Sequence, residues 1–285
     1  MVNENAETNA YLSHSHPGVE LRWPASAIWR PGEPTVSKIG LADLRDAIAK
    51  GIDDFKAIPS HAIFLIIVYP IVGLILFRLT FGYDMLPLIF PLIAGFALIG
   101  PVASLGLYEL SRRREKGLDA SAWHAFDVLR SPSIGAIARL GLLLLVIFFT
   151  WLVVAQAMYV GILGKWVPVS LEEFAHRILA TPAGWQLIIV GNVCGFLFAV
   201  LVLVISVVSF PMLVDRNVGA ATAVRTSVRA VLANPMTMAM WGLFVAAALV
   251  IGSLPLLVGL AIVLPILGHS TWHLYRKVVS ADEVI

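Results

Sequence analysis

The sequence predicts an all-α polytopic membrane protein with six transmembrane helices, arranged as three hairpins that are each preceded by a cytoplasmic amphipathic helix. Three observations predict it. Hydrophobic residues make up 59% of the 285 and charged residues 13%, against roughly 45–50% and about 25% in a soluble domain, so a soluble fold could not hide its apolar surface. The apolar residues run in long uninterrupted blocks, the pattern of segments dissolved in lipid. The basic residues cluster between alternate blocks, which gives the chain a sidedness.

Residues 1–37 form a polar, partly disordered segment that ends in the aromatic, proline-rich stretch RWPASAIWRPGEP, with Trp23 and Trp29. This stretch is expected to cap the cytoplasmic face or dock a partner. The opening residues carry no basic region followed by an apolar one, so insertion is expected to be directed by the first internal apolar block. About 20 apolar residues cross a hydrocarbon core of roughly 30 Å. Spans therefore fall near residues 61–79, 85–107, 137–162, 185–210, 236–253 and 255–274. Between the last two only Gly252, Ser253 and Leu254 precede Pro255, giving a tight hairpin or one long kinked element. Residues 236–275 supply about two crossings at 1.5 Å per residue.

Orientation follows from the Lys and Arg distribution. Arg22, Arg30, Lys38, Arg45, Lys50 and Lys56 precede the first span, and Arg112, Arg113, Arg114, Lys116, Arg130 and Arg139 follow the second. Arg216, Arg225 and Arg229 follow the fourth, and Arg276 and Lys277 follow the sixth. Only Arg78, Lys165 and Arg177 of the 20 basic residues fall on the other side. Both termini are thus expected in the cytoplasm of a cell whose cytoplasmic (inner) membrane holds the protein. The formal net charge of +2 gives no global field for nucleic acid, and the single cysteine, Cys194, excludes an intramolecular disulfide.

The cytoplasmic segments repeat. In IGLADLRDAIAKGIDDFKAIP, Leu41, Leu44, Ile48, Ile52 and Phe55 form one stripe while the charges, Asp54 among them, lie mostly elsewhere. GLDASAWHAFDVLRSP gathers Leu118, Ala122, Ala125, Phe126 and Leu129 before Pro132. VGAATAVRTSVRAVLANP gathers Val218, Ala221, Val224, Val228 and Val231 before Pro235. Each following hairpin closes on a proline, Pro101, Pro211 or Pro265, expected to kink a span near the cytoplasmic face. Three modules result, 38–113, 114–216 and 217–279, with 280–285 as a C-terminal tail.

The basic-amphipathic start, the six spans, the stretch FPMLVDRNVGAATAVRTSVRAVLANP and the closing LPILGHSTWHLYRK resemble the bacterial predicted integral membrane family known as domain of unknown function (DUF) 2189. The resemblance covers the chain from about Leu21 and implies a topology without an activity. Some members of that family carry the label cytochrome c oxidase subunit I-like, which implies intramembrane histidines. His14, His16, His124 and His176 lie in tails or loops. His61, at the start of span one, and His269 with His273, at the end of span six, are the candidate cofactor ligands.

The spacing of His269 and His273 puts two imidazoles on one helix face. Ser270 stands where a zinc-protease helix has glutamate, and no carboxylate within the motif completes a metal set. The competing reading makes Trp272, His273 and Tyr275 an interfacial belt anchored by Arg276 and Lys277. No cofactor and no metal are expected. Gln156 in span three and Asn192 in span four are the candidate substrate-binding residues, and the same amides can instead hydrogen-bond neighbouring helices. Gly191, Gly195 and Ala199 give span four a small-residue face for internal packing or a homodimer.

No nucleophile with a base, phosphate loop or placed carboxylate pair is visible, so no enzyme is expected. Glu172, Glu173 and His176 read as the solvated side of a short outer helix whose Leu171, Phe174, Ile178 and Leu179 dip inward. The function expected is a non-catalytic scaffold or accessory subunit of a membrane assembly. Its partners would be the lipid bilayer and a membrane protein or a second copy. A small-solute or lipid permease is the alternative, and a haem-binding respiratory component the third reading.

Overall fold

The computed structural model describes residues 34–58, 86–96, 98, 100–254 and 259–280. The expected first span with His61, the Trp23 and Trp29 stretch and the loop at Pro255 lie outside the described residues. In chain order the α-helices are α1 (Leu41–Ala57), α2 (Leu86–Phe96), α3 (Gly100–Ala103), α4 (Leu105–Glu115), α5 (Ile134–Leu163), α6 (Leu171–Leu179), α7 (Pro182–Ser206), α8 (Ser209–Asp215), α9 (Ala220–Ala233), α10 (Pro235–Ser253) and α11 (Leu260–Val278). A 3₁₀ helix, Ala122–Arg130, precedes α5. The one extended pairing among the described residues is an antiparallel bridge between Val36 and Val279.

Among the described residues, three helical runs are long and apolar enough to cross a membrane: α5, α7 continuing into α8, and α10. They coincide with the third, fourth and fifth expected spans. In their most apolar windows only 28%, 33% and 22% of residues are buried within the protein, and Leu142, Phe149, Val153, Ile189, Phe196 and Leu243 are exposed. Surface of that kind is stable only under an apolar solvent. Trp151 ties two of these runs to α2. Its indole donates to the Pro91 carbonyl at 2.9 Å, and its ring packs on Phe198 and beneath Gly195. The small-residue face of α7 thus serves internal packing at Gly195.

The second expected span is broken into α2, α3 and α4. The break at α3 carries Pro101, whose ring opposes the preceding turn and whose nitrogen donates no bond. Beyond it α4 runs to Glu115, past the expected span end, and α11 likewise continues to Val278. These extensions build a polar end to the bundle, where α1 lies along α11 and α4 and α8 pack against it.

The buried stripes differ from those expected. On α1 the buried residues are Leu44, Ala47, Gly51 and Asp54, while Leu41 is exposed. On α9 they are Ala223, Thr226, Ser227 and Ala230, with the valines at the margin. Close approach of two helix backbones selects the small residues of an amphipathic wheel, and the bulky ones flank the seam. At Gly51 the approach leaves no room for a side chain: a Cβ would lie 2.6 Å from the Ser270 nitrogen and 2.7 Å from its Cα. Gly268, on the same helix, faces Leu107 of α4 just as tightly.

Asn234 closes the polar end by reading the backbone that precedes α1. Its carbonyl oxygen accepts from Ile39 N–H at 2.8 Å and its amide donates to Ser37 C=O at 3.0 Å. Thr237 adds a bond to Ile39 C=O, and Ser37 N–H donates to Val278 C=O at 2.8 Å. Residues before α1 are in this way held between the start of α10 and the end of α11. On the opposite loop, Ser170 caps α6 by accepting from Glu173 N–H, and Glu173 accepts from Val169 N–H. Arg177 stacks over Trp166 at 4.6 Å.

Candidate functional site: a buried carboxylate and histidine network

Three helices bring their polar residues to one point. Gly51 lets α1 touch α11, which drives Asp54, three residues on, into the seam. Gly268 lets α11 touch α4, which presents Ser111 and Arg114 from one face. His269 and His273, one turn apart on α11, complete the cluster.

Asp54 is the hub, and its side chain is 4% exposed. Its Oδ2 accepts from Ser111 Oγ–H at 2.6 Å and from His273 Nε2–H at 2.8 Å. Its Oδ1 accepts from the Arg114 guanidinium. Ser111 Oγ also meets His269 Nδ1 at 2.7 Å. With the hydroxyl hydrogen committed to Asp54, Ser111 accepts there, which assigns the Nδ1–H tautomer to a neutral His269. Burial works to raise the Asp54 pKa, and the donors His273, Ser111 and Arg114 outweigh it, holding the carboxyl below its ordinary 3.8.

A second ring of charge surrounds the hub. Trp272 donates its indole N–H to Glu115 at 2.9 Å, and Arg276 binds the other oxygen of Glu115 at 3.0 Å. Arg276 also reaches Asp215, which accepts from Tyr275 O–H at 2.8 Å. Lys277 lies 3.3 Å from Asp43 and 2.9 Å from Asp46 on α1. Arg112 and Glu109 form a buried two-point pair within α4, both bonds at 2.7 Å.

The expected belt of Trp272, His273 and Tyr275 is therefore inside the protein, with Trp272 and Tyr275 fully buried. α1, α4 and α8 enclose this half of α11, so its aromatic and basic side chains meet carboxylates instead of a bilayer surface. His269 and His273 are brought together, as their spacing predicts, but on a carboxylate contributed by another helix. Gln156 and Asn192 are both exposed, on α5 and α7, and Asn192 donates to the Ile188 carbonyl at 2.8 Å. Asp54, Ser111, Arg114, Glu115 and Asp215 were missed as site residues. One signal was present: Leu44, Ala47, Gly51 and Asp54 recur at alternating three- and four-residue steps, a seam spacing that ends on a carboxylate.

The arrangement differs from a nucleophilic triad, in which histidine stands between serine and the acid. Here Ser111 stands between His269 and Asp54, with its hydroxyl hydrogen donated toward the carboxylate. A cleft of about 410 Å³ lined by Ala57, Ile58, Arg114, Asp119, Ala120, Ser121 and Ala122 opens beside the cluster, with neither Ser111 nor a histidine in its lining. Among the described residues no group of three or more His, Cys, Asp or Glu is placed to hold a metal. His273 is committed to Asp54. A reduced-minus-oxidised absorbance spectrum of the purified protein tests the expectation of no cofactor: it is expected to be flat, and a haem band lost in His269→Ala would overturn that expectation.

Long apolar helices that leave most of their surface exposed, with charge gathered at one end, define an integral membrane protein. Residues 89–215, fewer than half of the chain, match the sequence model of the family described as predicted integral membrane protein (DUF2189). The match runs from α2 to the end of α8. No curated protein and no solved structure matches the chain.

Proposed function

We propose that this protein is a non-catalytic scaffold or accessory subunit of a membrane assembly, crossing the cytoplasmic membrane six times with both termini inside. The observation that carries the reading is the exposure of Gln156 and Asn192 on the outer faces of two spans. α5 and α7 are antiparallel neighbours, and Trp151 packs against Gly195 and Phe198. Five residues beyond Trp151 and three before Gly195, the two amides stand at about the same depth. Polar groups facing hydrocarbon are costly, and an interhelical hydrogen bond in a membrane contributes about 0.6–2 kcal/mol. A helix of a second copy or another membrane protein would satisfy both amides, whereas a permease would turn them inward to a substrate path.

The test is extraction from native membranes directly into polymer-bounded nanodiscs. The wild-type chain is expected to be recovered in an assembly larger than its own 30.9 kDa, and the double variant Gln156→Leu with Asn192→Leu as the single chain. A wild-type single chain that carries solute flux in proteoliposomes, with the flux lost in Asn192→Leu, would favour the permease instead.

A further inference from the structure

The 3₁₀ helix Ala122–Arg130 has a feature that neither the family match nor the scaffold reading uses. With three residues per turn, side chains at i and i+3 eclipse and form three straight ridges. One ridge, Ala122, Ala125 and Val128, packs inward, with Ala125 Cβ 2.9 Å from where a Cβ on Gly106 would sit. A second, His124, Asp127 and Arg130, is polar: Asp127 pairs with Arg113 of α4 at 3.2 Å and with His124 at 2.7 Å. The third ridge is Trp123, Phe126 and Leu129, which are 81%, 54% and 63% exposed. A nine-residue element thus presents a continuous apolar edge away from the protein.

Its depth is set by its neighbours. α5 begins at Ile134, after only Ser131, Pro132 and Ser133. Arg139 lies on the exposed face of α5 beside the outward-facing Leu142 and Leu143. Its guanidinium turns back one turn to donate to Gly135 C=O at 3.1 Å. That is the posture of an arginine rising out of hydrocarbon to the headgroups, and it places the headgroup level near Gly135. Independently, Val102 lies against Gly141, about 9 Å deeper than Gly135 at 1.5 Å per residue. Gly106 is four residues, or about 6 Å, back toward that level, and Gly106 is where Ala125 packs. Both routes put the 3₁₀ helix at the headgroup boundary.

We infer that the ridge of Trp123, Phe126 and Leu129 is an in-plane membrane anchor, seated in the interfacial zone of the leaflet that receives the start of α5, with Arg130 and Arg139 on its anionic headgroups. An interfacial element of this kind buries its apolar face about 5–10 Å into the headgroup and acyl boundary. Each basic residue beside an anionic leaflet adds to the attraction. The anchor fixes the tilt of α4 and α5, because the same segment is tied to α4 through Arg113. It depends on the protein's being in the membrane and is independent of the scaffold reading.

The test uses the full chain in vesicles of phosphatidylethanolamine and phosphatidylglycerol. In a Cys194→Ala background, Trp123→Cys, Phe126→Cys, Leu129→Cys and Arg130→Cys are made singly and nitroxide-labelled. Collision with oxygen, which partitions into lipid, is compared with collision with a water-soluble nickel chelate. The oxygen-to-nickel ratio at positions 123, 126 and 129 is expected to exceed that at 130 several-fold, so that accessibility repeats every three residues. Ready access of the nickel chelate to all three ridge positions would overturn the proposal, since the ridge would then face water. Shielding from both reagents would overturn it equally, since a protein surface would then cover the ridge. Thermal unfolding within a degree or so of the background chain identifies variants that keep the fold, and three separate positions keep the reading independent of any one.

Discussion

Asp54→Ala is expected to lower the unfolding free energy by about 3 kcal/mol, read as a reduced thermal midpoint in mild detergent. The substitution leaves His273, Ser111 and Arg114 without their common acceptor in a site closed to water on most sides. Arg114 is 42% exposed and can turn to solvent, so the loss falls chiefly on Ser111 and His273. Asp54→Asn is expected to lose less, because its carbonyl still accepts one or two of the donors. The asparagine variant also tests the charge itself. The folded pKa of Asp54 lies below its ordinary 3.8, so its contribution is complete above that value and disappears as pH falls through the folded one. Wild type and Asp54→Asn should therefore stay separated above about pH 4 and converge as pH falls below 3.8 through the lower folded value. A constant difference across that window would mean that the carboxylate acts by shape alone.

Gly51→Ala and Gly51→Val should form a graded pair of comparable size, about 1–3 kcal/mol for alanine and more for valine. A Cβ would strike the backbone N and Cα of Ser270 as well as its Oγ, so no rotamer change relieves the contact and the helices must part. Parting them withdraws Asp54 from Ser111 and His273, so the valine variant should also lose the acid dependence described above. Gly161→Ala is the control. It lies in the last turn of α5 with nothing within 4 Å of an added Cβ, and it should be neutral or stabilising by less than about 1 kcal/mol. Equal losses at Gly51 and Gly161 would show that the crossing of α1 with α11 does not set the cost.

Much of the architecture was legible before any coordinates. Block length alone locates α5, α7 and α10, because the thickness of a bilayer is a constraint on consecutive residues. The prolines at 101, 132 and 235 mark real helix boundaries, since a missing N–H and a fixed φ act within one turn of chain. The second amphipathic segment was legible as an element but not as a 3₁₀ helix. α and 3₁₀ patterns differ by little over nine residues, and the choice is made by Gly106 receiving Ala125 and Arg113 receiving Asp127. The histidine pair was visible and its meaning was not: an i, i+4 pair declares a shared face without declaring what faces it.

By itself, then, the sequence determined that this chain lives in a membrane, that its regular structure is helical, that several segments are apolar enough to span, and that its positive charge gathers between alternate apolar blocks. Those are properties of composition and of order along the chain. Only the tertiary structure decided that Asp54 belongs to the core, because its partners Ser111 and His273 stand 57 and 219 residues away. On an isolated helical wheel a carboxylate sorts to the solvent side. It changes sides only when two helices, approaching over Gly51 and Gly268, bring enough hydrogen-bond donors to replace the water it gives up.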